Sequence, residues 1–318
     1  MTALYDTAPP TASEGCFSAA ALKTVITSTC SALLIPLLRR VAADRIGGET
    51  LEEAWRVVVA VQSNGASYSL GFWDTPAYAP DDILVLYLQA LECIGLHGGG
   101  YLSIKPPALH FDGTRARTLA LAARQAGVRL HCDSHGTNVA DLTLDFAERL
   151  QEHLPGDLVS VTIPGRWERS CGDALRMEGR GIGVRVVKGQ WPDPSNPGLD
   201  LGGGFIDVVD ALATGRSRLV LASHDAALLA RASGRLSRPF EIEFIHGLQT
   251  DSLMDLAHQH TAPVTIYVPY GKGFAPSALG ILRRNPRLFL SLFKSMAVRR
   301  AQSDDPPTEF SSSVAGKA

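Results

Sequence analysis

YLSIKPPALHFDGTRARTLALAARQAGVRLHC, residues 101–132, holds one full period of the pattern that decides the fold. Tyr101–Ile104 is a short strand-like run, Arg115–Ala126 an alanine- and leucine-rich helical stretch, and Val128–Cys132 the next strand-like run. Working outward, the same alternation gives eight runs: Tyr68–Phe72, Tyr101–Ile104, Val128–Cys132, Leu158–Ile163, Val184–Val187, Arg218–Ala222, Ile242–Ile245 and Val264–Val268. Helical stretches at Ala140–His153, Ala226–Ala232 and Asp251–His258 fall between them. A strand followed by a helix, repeated eight times, predicts an all-parallel α/β sheet closed into a (β/α)8 TIM-type barrel, because helices then cover the sheet's outer face. An open doubly wound sheet is the runner-up. It calls for a strand, a glycine-rich loop and a helix in that order, whereas Gly98-Gly99-Gly100 precedes a strand and Gly202-Gly203-Gly204 follows a proline-rich loop; both read as turns.

The expected boundaries are a disordered tail at 1–15, N-terminal helices at 16–66, the barrel at 67–301 and a second disordered tail at 302–318. The tails are rich in Pro, Ser, Thr and Asp without apolar periodicity. In the helical segment, Ser18–Ala43 is one run, and Thr50 followed by Glu52 and Glu53 opens another with a capping residue and acids suited to a helix N-terminus. With 318 residues, 45% hydrophobic, 19% charged and a formal charge of −2, the composition suits a globular protein with one barrel-sized core and no nucleic-acid partner. Cys16, Cys30, Cys93, Cys132 and Cys171 are odd in number and lack metal spacing, so a reducing, cytoplasmic compartment is expected. The apolar run at 32–38 is too short to span a bilayer.

In a parallel barrel the carboxyl ends of the strands form the mouth. Read in order, those ends are Lys105, Asp133, Pro164, Arg185 with Lys188, Ser223 with His224, His246 and Tyr267. The set predicts a cationic mouth suited to anionic ligands. Beyond the last strand comes Arg283-Arg284, a pair of planar forked donors suited to a carboxylate. His131, Asp133 and His135 alternate onto one face, but further ligands at metal-like spacing are lacking, and the reading is of no metal site.

Taken together, SIKPPAL (103–109), HCDSH (131–135), VRVVKGQW (184–191), LASHD (221–225), EFIHGL (243–248) and IYVPYG…LRR (266–284) resemble the proline dehydrogenase family of FAD-dependent barrel enzymes, in the family's order. The resemblance implies a substrate carboxylate held by Lys105, Arg283 and Arg284, with Tyr267 at the same site. It implies an active-site aspartate at Asp133, supporting Tyr267 and the cationic cluster, and an arginine near flavin N5 at Arg185. The flavin-contacting positions are Ser134, Pro164, Arg185, Lys188, Gly189, Gln190, Ser223 and His224. The implied chemistry is hydride transfer from the carbon next to the ring nitrogen to the flavin, giving a cyclic imine. Electrons would then pass to a quinone or other acceptor, met at the inner face of the membrane if at all. A peripheral membrane contact through the basic, apolar stretch at 287–296 stays open, with docking on the barrel preferred.

The chain departs from the family at several of these places. Pro164 stands where the family carries a flavin-bonding glutamine, Gln190-Trp191 replaces alanine–tyrosine, Ser223 replaces threonine, and Gly280 stands for a tyrosine that packs over the substrate ring. Asn285-Pro286 interrupts the last helix. Three functions are therefore carried forward: oxidation of L-proline, the same chemistry on a hydroxy- or alkylproline, and a catalytically degenerate ligand-binding barrel.

Overall fold

In a computed structural model that describes residues 46–248 and 251–273, eight parallel strands close into a barrel in sequence order. They are β1 (Ser67–Phe72), β2 (Gly100–Ile104), β3 (Leu130–Cys132), β4 (Val159–Pro164), β5 (Gly183–Val187), β6 (Leu219–Ala222), β7 (Glu241–Ile245) and β8 (Val264–Tyr270). β1 closes on β8 from Ser67 opposite Thr265 to Phe72 opposite Tyr270. The (β/α)8 reading holds, each strand lying within two residues of its expected run.

Helix α1 (Leu51–Ser63) opens on a reciprocal cap: Thr50 accepts the Glu53 N–H while the Glu53 carboxylate accepts the Thr50 N–H. Between strands run α2 (Pro80–His97), α3 (Gly113–Ala126), α4 (Ala140–Gln151), α5 (Ser170–Gly179), α6 (Leu201–Ala211), α7 (Ala226–Ser233) and α8 (Asp251–Gln259). Several start where a carboxylate satisfies free backbone N–H groups: Asp112 caps α3, Asp200 caps α6 and Asp225 caps α7. The residues 1–45 and 274–318, and with them both expected tails, the Ser18–Ala43 helix, Gly280, Arg283, Arg284 and the 287–296 stretch, lie outside the described residues.

The second glycine cluster is not a turn. Gly202, Gly203 and Gly204 form the first turn of α6, and the Asp200 carboxylate accepts the Gly202 and Gly203 N–H groups at 3.1 and 2.8 Å. A Cβ on Gly204 would lie far inside contact with the Gly165 carbonyl, and one on Gly165 would meet the Phe205 backbone in the same way. The glycines are there because two backbones touch, which brings α6 against the segment leaving β4.

The strands divide their side chains between two environments. Leu70, Leu102, Leu130, Val161, Val184, Leu221, Ile242 and Val268 join the apolar core shared with the helices. Residues of the opposite parity point into the barrel, and many are polar yet buried: Ser69, Ser103, His131, Ser160, Thr162, Arg185, Glu243 and Thr265. A barrel interior more often carries branched aliphatic side chains. Ser69 Oγ is left without a partner, while Ser103, His131, Ser160, Thr162, Arg185 and Glu243 are hydrogen-bonded, and their pairings build the site.

Candidate active site

Arg185, on β5 and only 7% exposed, is the centre of that interior. Its Nη1 donates to Glu243 Oε1 at 2.5 Å, Nη2 donates to Asp133 Oδ1 and to Thr162 Oγ1, and Nε donates to Thr162 at 3.0 Å. Glu243 in turn accepts the hydroxyl of Tyr101 from across the barrel, and Asp133 accepts Ser103 Oγ at 2.9 Å. Burial alone works against the guanidinium charge. The Glu243 and Asp133 carboxylates outweigh it and hold the Arg185 pKa above the ordinary arginine range.

The rest of the rim joins this centre through aromatic rings. The Arg185 guanidinium lies 5.8 Å from the Tyr267 ring, the Tyr267 hydroxyl accepts the Trp73 indole N–H at 2.9 Å, and Lys105 Nζ sits 5.0 Å from the Trp73 ring. Asp133 reaches Tyr267 through Arg185, which pairs with the carboxylate and lies over the ring. Gly71 makes the ring's place on β8 available, since any Cβ there would collide with the Tyr267 hydroxyl. Burial and the Asp133 charge raise the Tyr267 pKa well above that of free tyrosine, so the phenol stays protonated.

The mouth expected to be cationic is charge-balanced among the described residues. Lys105 pairs with Asp74 at 3.0 Å, Lys188 with Asp225 at 2.6 Å, and Arg185 with Glu243 as well as Asp133. The strand-end reading missed these partners for identifiable reasons. Asp74 is in the loop after β1, Asp225 is a helix cap, and Glu243 lies inside β7. Glu243 did leave a signal: an acid alternating with Ile242 and Phe244 in a barrel strand must face the interior. Trp73 and Arg166 were missed as well.

The expected flavin-contacting positions fall on neighbouring loops. Lys188, Gly189 and Gln190 follow β5; Gly189 has φ of +87°, and a Cβ there would stand 2.6 Å from Pro164 Cβ. Ser223 Oγ accepts the Asp225 N–H at 3.1 Å, and His224 Nε2 accepts the Ile245 N–H at 3.0 Å. Ser134 and His135 line a recess with Thr162, Ile163 and Trp167. Pro164 ends β4, and its carbonyl accepts the Ser170 hydroxyl, so it offers packing alone. His246 donates its backbone N–H to the Tyr267 carbonyl at 2.8 Å, and the Trp191 carbonyl accepts Trp167 Nε1 at 2.8 Å.

Two orphaned atoms test whether an anionic, ring-bearing cofactor suits this rim. His135 Nδ1 and Arg166 Nε are buried without a hydrogen-bond partner, and among the described residues no carboxylate pairs with Arg166. Burial lowers the Arg166 pKa, the mark of a cation whose neighbours leave it uncompensated. A phosphate-bearing flavin in contact with these loops would supply both missing partners, so the residues fit the group.

His131 carries the clearest pH signature. Its Nδ1 and Nε2 lie 2.8 and 2.7 Å from Ser160 and Thr162 hydroxyls, and burial together with the Arg185 and Arg129 charges drives its pKa well below 6.5. The unfolded chain binds a proton at this residue below about pH 6.5 and the folded chain does not, so stability falls as the pH drops below that point. The expected slope from His131 is up to about 1.4 kcal/mol per pH unit. Urea unfolding at pH 7 and pH 5 should show His131→Gln to be flatter than wild type. His135, whose pKa burial also lowers, keeps its own share in both proteins.

No family model matches the chain. In sequence it is 23% identical over 253 residues to a proline dehydrogenase of Deinococcus radiodurans, covering 71% of this chain and 80% of that one. The resemblance is to proline dehydrogenase. The relative found over 71% of the chain thus bears the name of the family that the end-of-strand peptides resemble. The proline dehydrogenase-like barrel also superimposes on proline utilization A from Bdellovibrio bacteriovorus inactivated by N-propargylglycine, with a TM-score of 0.68 and 16% identity over 83% of this chain. Proline utilization A from Corynebacterium freiburgense gives a TM-score of 0.59 and 13% identity over 88% of the chain. This chain spans 34% of the length of each of those two proteins, and at such identities the match carries the fold.

Proposed function

We propose that this chain is an FAD-dependent oxidoreductase that converts L-proline, or a ring-substituted proline, into the cyclic imine 1-pyrroline-5-carboxylate or its analogue, with a quinone or similar acceptor taking the electrons. The observation that carries the reading is the continuous contact from Lys105 through Trp73, Tyr267 and Arg185 to Asp133 at one end of the barrel. That cluster joins residues which the resemblance assigns to one reaction.

In this reading residues 67–301 are the catalytic barrel. Lys105, Arg283 and Arg284 grip the substrate carboxylate, and Lys105 exchanges Asp74 for it on binding. Fixing the carboxylate turns one C–H of the ring toward the acceptor, and such orientation contributes on the order of several kcal/mol to lowering the barrier. Tyr267 and Trp73 wall the ring from water, and Tyr267 keeps its proton throughout. Arg185, Ser134, Lys188, Gly189, Gln190, Ser223 and His224 hold the flavin, Pro164 packs against it, and Arg166 is available to its phosphates. When bound, the flavin supplies the two-electron acceptor.

Purified protein is expected to carry flavin absorbance, or gain it on reconstitution, and to bleach when proline is added without oxygen. Protein that cannot be loaded with FAD rejects the reading. Arg284→Met should raise KM for the amino acid by at least about tenfold, because one fork of the clamp is gone and the carboxylate loses a charged partner. An unchanged KM would remove Arg284 from the substrate site.

A further inference from the structure

Glu243 has no role in the chemistry described so far, yet its surroundings are unusual for a carboxylate. It is 4% exposed, lies inside β7, and shares its two oxygens between Arg185 Nη1 and the Tyr101 hydroxyl. Arg185 therefore faces two carboxylates, Glu243 and Asp133, where one would neutralise it. A second buried carboxylate adds desolvation cost beyond what neutralising Arg185 requires, and although Glu243 also acts on the buried Arg129 charge, its direct contact with Arg185 calls for an electrostatic or geometric use.

The geometry supplies both. A guanidinium has five N–H groups, and the contacts of Arg185 with Thr162, Asp133 and Glu243 occupy all but one hydrogen of Nη1. Asp133 and Thr162 hold one edge of the plane and Glu243 fixes the remaining nitrogen, so the last N–H has a set direction. The same carboxylate offsets the positive charge that Arg185 presents to whatever lies beside it. Arg129 stacks over the Tyr101 ring at 3.9 Å and pairs with Glu241, not with Glu243.

We propose that Glu243 is a positioning residue that aims Arg185 and lowers the reduction potential of the bound cofactor by offsetting the arginine's charge. The inference rests on the flavin reading of the site. With Glu243 ionised, the Arg185 cluster carries an excess of negative charge and gains less when the flavin takes up an electron pair. Glu243→Gln keeps an acceptor for Nη1 and a polar contact for Tyr101 but removes the charge.

The test is the midpoint potential of the flavin-loaded proteins, measured by equilibration with reference dyes. Glu243→Gln should be easier to reduce, with the two-electron equilibrium shifted about tenfold toward the reduced form, or about 30 mV more positive. Glu243→Asp keeps the charge but draws it one methylene back from Arg185. It should shift the same way by a smaller factor, which remains readable if the glutamine variant does not fold. Flavin-loaded variants with the wild-type potential overturn the inference and leave the proposed function standing. Wild-type protein that takes up no flavin overturns both.

Discussion

Arg185→Met should lose about 3–5 kcal/mol of folding stability, the range found when one partner of a buried ion pair is removed. The reason is what stays behind. Asp133 and Glu243 would remain inside the barrel without a cation between them, and Thr162 would lose both of its guanidinium donors. Methionine fills much of the arginine's volume, so the loss reports charge and hydrogen bonding more than packing. Denaturant titration measures it, and a loss under about 1 kcal/mol, the size of an exposed pair, would mean that the cluster is far better hydrated than its burial indicates.

The second large effect is expected where two backbones touch. Gly204→Ala places a methyl into the Gly165 carbonyl, and neither partner is a side chain that can swing aside. Overpacking of this kind costs about 1–3 kcal/mol, and here the strain is relieved only by moving α6 or the segment after β4. That segment contains Arg166 and leads to Trp167, whose indole N–H donates to the Trp191 carbonyl. Flavin affinity should therefore weaken along with stability. Gly172→Ala, at a glycine with open space around its Cβ position, should leave both nearly unchanged and serves as the control. Equal behaviour of the two variants in thermal melts and FAD titration would show that the backbone contact is of no consequence.

The barrel was legible because its strand spacing and helical stretches repeat, so an error in one run does not disturb the others. Boundaries slipped where local chemistry competes: Val128 belongs to the turn after α3, and β8 continues through Pro269 to Tyr270. The glycines of α6 were misread because glycine is a poor helix former, and only the tertiary contact with Gly165 reveals their purpose. Strand order alone was enough to group Lys105, Asp133, Arg185, Lys188 and Tyr267 toward the carboxyl end of the barrel. Their partners were not legible, since a helix cap such as Asp225 or a loop acid such as Asp74 looks like any surface carboxylate until the loops are brought together. Arg283 and Arg284 stay where the sequence left them, as candidates outside the described residues.

The bonds among Arg185, Asp133 and Glu243 also constrain how this barrel can change over generations. Arg185 lost alone strands two carboxylates in the interior, and Asp133 or Glu243 lost alone takes an acceptor from the guanidinium, whereas replacing all three with apolar side chains of similar volume can be close to neutral for folding. The intermediate steps between those two endpoints are the costly ones. Drift at these positions is therefore expected to be concerted: descendants of this sequence should keep the whole set or have exchanged it as a unit, and a lineage that has abandoned Arg185 should have abandoned Glu243 with it. Coupling energies from double-mutant cycles across the pair, well in excess of those for exposed pairs such as Arg56 with Glu52, would be the laboratory trace of that inheritance.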